Sequence, residues 1–441
     1  MKKYLTTLLT TTLLVTGLHA SAASKVETWE TNEGAEVYFL QAPEIPMIDL
    51  IVALDAGSFR EGDQYGLAGM TASMMSKGTK TLNEEDFLIK LDDLQSSIGA
   101  SASTNHTTLS LRSLTKESLL MPSLALFYDV IENATFDEAI FERERAQVID
   151  GQKAILDNPS AIASELYYQA LYPNSVLGGT SEMLQASLKE MSLADLNHFR
   201  ETFYNANNAK IIFVGDISRP DAEKIAQQVS ALLGPGKALP ALTEKRPDDN
   251  PARIEQAYNS PQTQVILGQP AIDRFDEDYL PLIVGNHLLG GSGLTSILMT
   301  TIREKDGLTY GIYSGFAPSF VAGPFTIRFS TKNESVDEAI EKTKAVVADF
   351  IRVAPDNDAL ERSKNNFLGS LVLDLDSNAK LAGSILQLAT YGLPLDYYET
   401  LPEKVRAITP EEIQKAFMRH VNPDTMTTVI VGGYVQPKEK Q

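Results

Sequence analysis

The sequence predicts an α+β protein built from two similar domains, each a mainly antiparallel sheet with helices packed on one face. The first observation is an internal repeat. Thr107-Thr108-Leu109-Ser110-Leu111-Arg112 alternates like a half-buried strand, then comes Thr115 to Ser118, a helical stretch through Ile131, and Phe141-Glu142-Arg143. The same order returns as Phe325 to Phe329, Thr331 to Ser335, a helical stretch through Ile351, and Leu360-Glu361-Arg362, so Glu142 corresponds to Glu361 at an offset of 219 residues. The second observation is that Ala209 to Asp216 and Thr427 to Gly433 both read as buried strands ended by glycine. The third is the stretch from Gly234 to Pro251, where Pro235, Pro240, Pro247 and Pro251 forbid a continuous helix or central strand. It reads as an exposed linker.

These signals divide the chain into a leader over residues 1–22, a domain over 23–233, the linker over 234–251 and a second domain over 252–441. In the leader, Lys2 and Lys3 precede an apolar, threonine-diluted run to Leu18, and Ala20-Ser21-Ala22 supplies a small-x-small cleavage pattern. The run is too short and too interrupted for a membrane anchor. Export to the periplasm with cleavage near Ala22 is expected.

Composition narrows the chemistry. The 441 residues carry a formal charge of −20, a balance that repels nucleic-acid backbones and anionic lipid. There is no cysteine, so disulfides, thiolate nucleophiles, Cys-ligated zinc and iron–sulfur clusters are excluded. Past the leader the histidines are His106, His198, His287 and His420, and no two lie within one helical turn in sequence. Each reads as a solvated or satisfied surface residue. No G-x-S-x-G elbow or phosphate-binding loop occurs.

The segment Gly66-Leu67-Ala68-Gly69-Met70-Thr71-Ala72-Ser73-Met74-Met75-Ser76-Lys77-Gly78-Thr79 resembles the zinc helix of the pitrilysin/insulinase-type metallopeptidases, in the branch similar to mitochondrial processing peptidase. That family's pattern is G-L-A-H-x-x-E-H-M-x-x-K-G-T, in which two histidines hold zinc and the glutamate is the general base. Those positions here read Gly69, Ala72 and Ser73. A third ligand, a glutamate in a later helix containing E-R-E, falls on Gly151 of Phe141 to Gly151. Asp150 is its neighbour, but helical neighbours point about 100° apart. The resemblance therefore implies the family frame without a metal site, and no cofactor in this chain.

The second half keeps a family feature. Arg303 and Tyr310 stand seven residues apart in Arg303-Glu304-Lys305-Asp306-Gly307-Leu308-Thr309-Tyr310, the spacing at which the resemblance implies a pair that reaches a partner's reaction chamber, holds substrate and stabilises the oxyanion. Structurally, Arg303 could equally complement the end of a helix stopped by Gly307, with Tyr310 packing at the next strand. Gly290, Gly291 and Gly293 are similar to a glycine-rich segment that admits substrate in non-catalytic members, or form a flexible strand-to-helix turn. Gly99, Ala100, Ser101 and Ala102 resemble the edge strand on which the family lays an extended peptide, or are an ordinary polar edge.

The resemblance implies a zinc-less subunit of a periplasmic heterodimeric metallopeptidase acting on unfolded peptides. This chain would form half of a clam-shell dimer and contribute Arg303 and Tyr310 to a homologous HxxEH subunit, which would carry zinc and base. The alternative is a non-enzymatic peptide-binding or scaffold protein of the same fold.

Overall fold

A computed structural model describes residues 25–433 except 156, 243–245, 248–249 and 374. The expected leader, residues 1–22, and part of the linker therefore lie outside the described residues.

The first half contributes β1 (Glu27–Glu30), β2 (Glu36–Gln41), β3 (Met47–Leu54), β4 (Ser97–Ala102), β5 (Thr107–Leu114) and β6 (Ala209–Gly215) to one sheet of order β1-β2-β6-β3-β5-β4. The second half contributes β7 (Arg253–Ala257), β8 (Gln262–Pro270), β9 (Ile312–Phe316), β10 (Pro324–Lys332) and β11 (Thr427–Gly432) in the order β7-β11-β8-β10-β9. Apart from β1 the two orders are the same. In each, the last strand inserts at the centre, parallel to one neighbour and antiparallel to the other. In register, Ile51 of β3 faces Ile212 of β6, and Val265 of β8 faces Ile430 of β11. The central strands β6 (AKIIFVG) and β11 (TTVIVG) are apolar on both faces, so both faces must be covered.

One face of each sheet is covered by helices of its own half, around Leu50, Phe127, Phe141 and Phe213 in the first and Leu267, Phe325, Ile413 and Phe417 in the second. The other face is covered by a helix from the opposite half, which the expectation of helices on one face did not contain. Pro159–Leu171 lays Ile162, Ala163 and Tyr167 on Ile266, Val429 and Val431 of the second sheet. Asn378–Tyr391 lays Ala382 and Ile385 on Ala53, Ile212 and Val214 of the first. From Pro159 to Asn378 is again 219 residues, so the repeat includes the exchanged element.

Polar contacts fix the exchange. The fully buried Tyr167 donates from its hydroxyl to the Phe325 carbonyl at 3.1 Å, and Tyr172 donates to the Ala322 carbonyl at 3.0 Å. Gly268 leaves room for Tyr167, since a Cβ there would come within 2.1 Å of the phenolic oxygen. On the other side, Asn105 donates to the Tyr391 hydroxyl at 3.1 Å. The mostly exposed linker is pinned where Arg60 donates to the Pro240 carbonyl and Arg246 to the Pro270 carbonyl. Among the described residues, no helix is long and apolar enough to cross a membrane.

Because each half covers the other's sheet, the two should unfold in one cooperative transition. Tyr167→Phe should cost about 1 kcal/mol for the lost hydrogen bond, and Tyr167→Ala about 3–5 kcal/mol for the cavity as well. Denaturant melts read both. Two separate transitions in the parent chain would contradict the coupling.

Candidate functional site

The zinc-type helix forms where the sequence places it, over Leu67–Met75. Gly66 precedes it with φ +88°, a conformation that favours glycine. Its first free N–H groups are satisfied by Glu61, whose carboxylate accepts from Gly66 and Ala68 at 3.0 Å each. Burial pushes the Glu61 carboxyl up despite those two bonds.

The helix buries Leu67, Ala68, Met70, Thr71, Ala72, Met74 and Met75. Gly69 is exposed and Ser73 half-buried, one turn apart on the remaining stripe. A Cβ at Gly69 or at Gly151 would meet nothing within 4 Å, whereas Ala72 is only 1% exposed and packed. The positions that would carry ligands are therefore open, and the position of the base is filled by core.

The helix Glu138–Ile155 packs against this one, bringing Gly151's helix to the site. What joins the two helices is a polar network the sequence reading did not identify. Ser73 donates from its hydroxyl to Glu144 at 2.9 Å, and the same carboxylate pairs with Lys77 at 3.0 Å and Arg143 at 2.9 Å. Arg143 and Lys77 also reach Glu84. Burial pushes Glu144 up, but the bonds from Arg143, Lys77 and Ser73 outweigh it and hold the carboxyl below its ordinary value. Asp150 is turned to solvent and pairs with Lys153 at 2.8 Å. The residues present do not fit zinc: the two ligand positions on the first helix hold a glycine and a serine, and the nearby carboxylate is already neutralised by two cations.

The second half repeats the contact in other residues. Ser363, 219 residues after Glu144, lies with its Oγ 2.7 Å from Nδ1 of His287. Burial lowers the His287 pKa. His106 is likewise largely buried, and its Nδ1 has no hydrogen-bond partner among the described residues. The expectation of solvated or satisfied histidines therefore fails at His106, while His198 is exposed and His287 and His420 are half-buried with hydrogen-bond partners. His420 belongs to a group with Asp276 and Asp278 in which His420 Nε2 lies 2.9 Å from Asp278. Arg419 also forks onto Asp278, so this group acts as an ion-paired anchor. Its members come from segments about 140 residues apart, which no local spacing reveals.

Gly290 and Gly291 end a π-helical stretch, His287–Gly291, that continues the helix Tyr279–Asn286. The strand-to-helix turn expected there is thus a helix-to-helix junction. Gly290 is required by packing, since a Cβ would approach Ser314 Oγ to 2.2 Å. Gly293 has φ +65° and open space around it. Gly99, Ala100, Ser101 and Ala102 lie in β4, at the free edge of the first sheet, with the helix Leu67–Met75 packed beside it.

Arg303 sits in the π-helical stretch Met299–Lys305, and its nearest acidic group, Glu304, is 4.0 Å away. Gly307, with φ +66°, ends the stretch, its N–H donating to the Arg303 carbonyl. The backbone beyond is fastened to β10: Thr331 donates to the Leu308 carbonyl at 2.6 Å and Thr309 to the Ser330 carbonyl at 2.7 Å. Directly after these anchors Tyr310 is 79% exposed. It does not pack at the strand.

The arrangement defines a class: a duplicated peptidase-type chain whose metal-binding face has lost its donors. Residues 37–183 match the family described as Insulinase (Peptidase family M16), and residues 190–367 match the Peptidase M16 inactive domain. The peptidase M16 inactive domain from Pseudomonas fluorescens superposes with a TM-score of 0.88 at 35% identity, over 94% of this chain and 99% of that one. The non-peptidase homolog YmxG of Helicobacter pylori is 25% identical over 99% of this chain and all of its own length. The uncharacterized zinc protease YmxG of Bacillus subtilis is 25% identical over 88% of this chain and 93% of its own. This chain belongs to peptidase family M16, and it carries Gly69, Ser73 and Gly151 at the positions matched to the zinc ligands.

Two outcomes follow from the site. Metal analysis of the purified chain should find far less than one zinc, whereas Gly69→His, Ser73→His and Gly151→Glu together should confer affinity that no single change does, because zinc needs several ligands at once. Zinc bound by the parent would refute the donor-set argument.

The Glu144 network should also fail in acid. Its carboxyl is depressed in the folded state, so its stabilisation is present above about pH 4.3, the unfolded value, and is lost as pH falls through the folded value. Glu144→Gln should lower Tm near neutrality and flatten its fall in acid. An equal Tm loss at every pH would contradict the ionic reading.

Proposed function

We propose that this chain is the zinc-less subunit of a two-chain periplasmic metallopeptidase that degrades or processes unfolded peptides. A homologous HxxEH subunit supplies zinc and general base. This chain supplies Arg303 and Tyr310 across the interface and offers the β4 edge to an extended substrate. The supporting observation is Tyr310: a large aromatic side chain stands 79% exposed directly after two residues, Leu308 and Thr309, that are fastened to β10, without the packing a purely structural tyrosine would show. Held that way, a phenol can donate to a developing tetrahedral oxygen, and the Arg303 guanidinium, paired with Glu304 only at 4.0 Å, can hold peptide carbonyls. The loss of metal donors at Gly69, Ser73 and Gly151 supports a division of labour between two chains. Export rests on the leader sequence.

The test is kinetic and uses the assembled complex with the zinc-bearing homologue. Tyr310→Phe should lower turnover of a short unfolded peptide about ten- to a thousand-fold, the usual cost of one lost oxyanion donor, with co-elution unchanged. Arg303→Ala should also raise KM. A complex that assembles and turns over normally with both substitutions would overturn the shared site and favour a scaffold.

A further inference from the structure

Duplication gives the protein the same cavity twice, and the two copies differ in charge. The first-half cavity, about 390 Å³, is lined among others by Glu61, Gln152, Glu165, Tyr168 and Ser181. The second-half cavity, about 260 Å³, is lined among others by Arg274, Leu371, Ser384, Gln387 and Tyr397. Gln152 corresponds to Leu371, Glu165 to Ser384 and Tyr168 to Gln387, each at the 219-residue offset of the repeat. Ser181 and Tyr397 each open the next helix. Both carboxylates of the first cavity are satisfied internally. Glu61 accepts the two backbone N–H groups described above, and Glu165 accepts the N–H and hydroxyl of Ser181 at 2.8 and 2.5 Å.

The second cavity has donors and no anion. Its lining contains no Asp or Glu, in a chain that carries 58 of them. The Arg274 guanidinium lies 3.8 Å over the Tyr279 ring and donates to the Tyr397 hydroxyl at 3.1 Å. Its other N–H groups have no protein acceptor among the described residues, and no carboxylate pairs with it. The Ser384 hydroxyl makes no hydrogen bond there. The Gln387 carbonyl accepts from Tyr398, which leaves its amide N–H groups free. The remaining wall is apolar, with Ile283, Phe367 and Leu371. The guanidinium also lies 5.7 and 5.5 Å from the Tyr391 and Tyr397 rings, and a planar carboxylate is the complement of its fork of N–H groups.

We propose that this second-half cavity binds a carboxylate attached to an apolar body of about one amino-acid residue, such as the C-terminal end of a peptide or a free acyl amino acid. Arg274 engages the carboxylate, Ser384 and Gln387 donate to it, and the aliphatic and aromatic wall takes the body. The site lies wholly within this chain, so it does not depend on a zinc-bearing partner.

Titration calorimetry on the full chain tests it with N-acetyl-leucine, N-acetyl-leucinamide, inorganic phosphate and a tetrapeptide ending in a free leucine carboxylate. One N-acetyl-leucine per chain is expected, with the amide at least about tenfold weaker, the scale of a lost charge-assisted hydrogen bond. Arg274→Met should weaken binding at least as much and Arg274→Lys less, because lysine keeps the charge but not the fork. Should Arg274→Met fail to fold, Ser384→Glu decides: it installs the carboxylate that the first half carries at Glu165, and should abolish binding while raising Tm. A tetrapeptide that binds as well as N-acetyl-leucine assigns the site to peptide ends, and binding of the short acid alone assigns it to free carboxylates. Equal affinity for acid and amide, phosphate bound more tightly than the acid, no saturable binding of the acid, or undiminished binding by the Arg274→Met or Ser384→Glu chain would overturn the proposal.

Discussion

The structure depends on one constraint: β6 and β11 are apolar on both faces, and the helices that each half packs on its own sheet cover only one of them. Each half solves this by lending a helix to the other, Pro159–Leu171 in one direction and Asn378–Tyr391 in the other. An uncovered sheet face of this kind would expose Ile212 and Val214, or Val429 and Val431, to water at roughly 1.5–3 kcal/mol per large side chain. The exchange therefore ties the halves together more firmly than the proline-rich linker does, and it sets the relation between the β4 edge in one half and the Tyr310 loop in the other.

With the halves fixed, the former metal face need not be held by metal. In a zinc peptidase of this pattern, ligands from two helices meet on one ion. Here the two helices are joined by Ser73, Glu144, Lys77, Arg143 and Glu84. A carboxylate between two cations and a hydroxyl replaces a metal crosslink by charge-assisted hydrogen bonds, which keeps the frame and removes the chemistry. The same pair of helices in the second half meets through His287 and Ser363. The contact between the helices is thus retained in both halves while its chemistry differs.

The two halves differ in the walls of their cavities. Equivalent cavities hold internally satisfied carboxylates in one half and an arginine without an anion in the other. Sheet order and the exchanged helix, by contrast, repeat, because covering a two-sided apolar sheet leaves little freedom while a cavity wall can change sign at small cost.

The sequence by itself determined the duplication, its 219-residue offset, the strand-rich ends of each half, the helix over Gly69 and Ser73 and the loss of metal donors, since all of these are local patterns or residue identities. It also placed Arg303 and Tyr310 on either side of Gly307. Only the tertiary structure decided which helix covers which sheet, because a two-sided apolar strand says that both faces are buried and not by what. Only it joined Ser73 to Glu144 and His420 to Asp278, pairs separated by 71 and 142 residues. Only it showed Gly290 to be demanded by Ser314 instead of by flexibility. Each of these rests on distances across the chain, and sequence periodicity carries information along an element but none about which element it will meet.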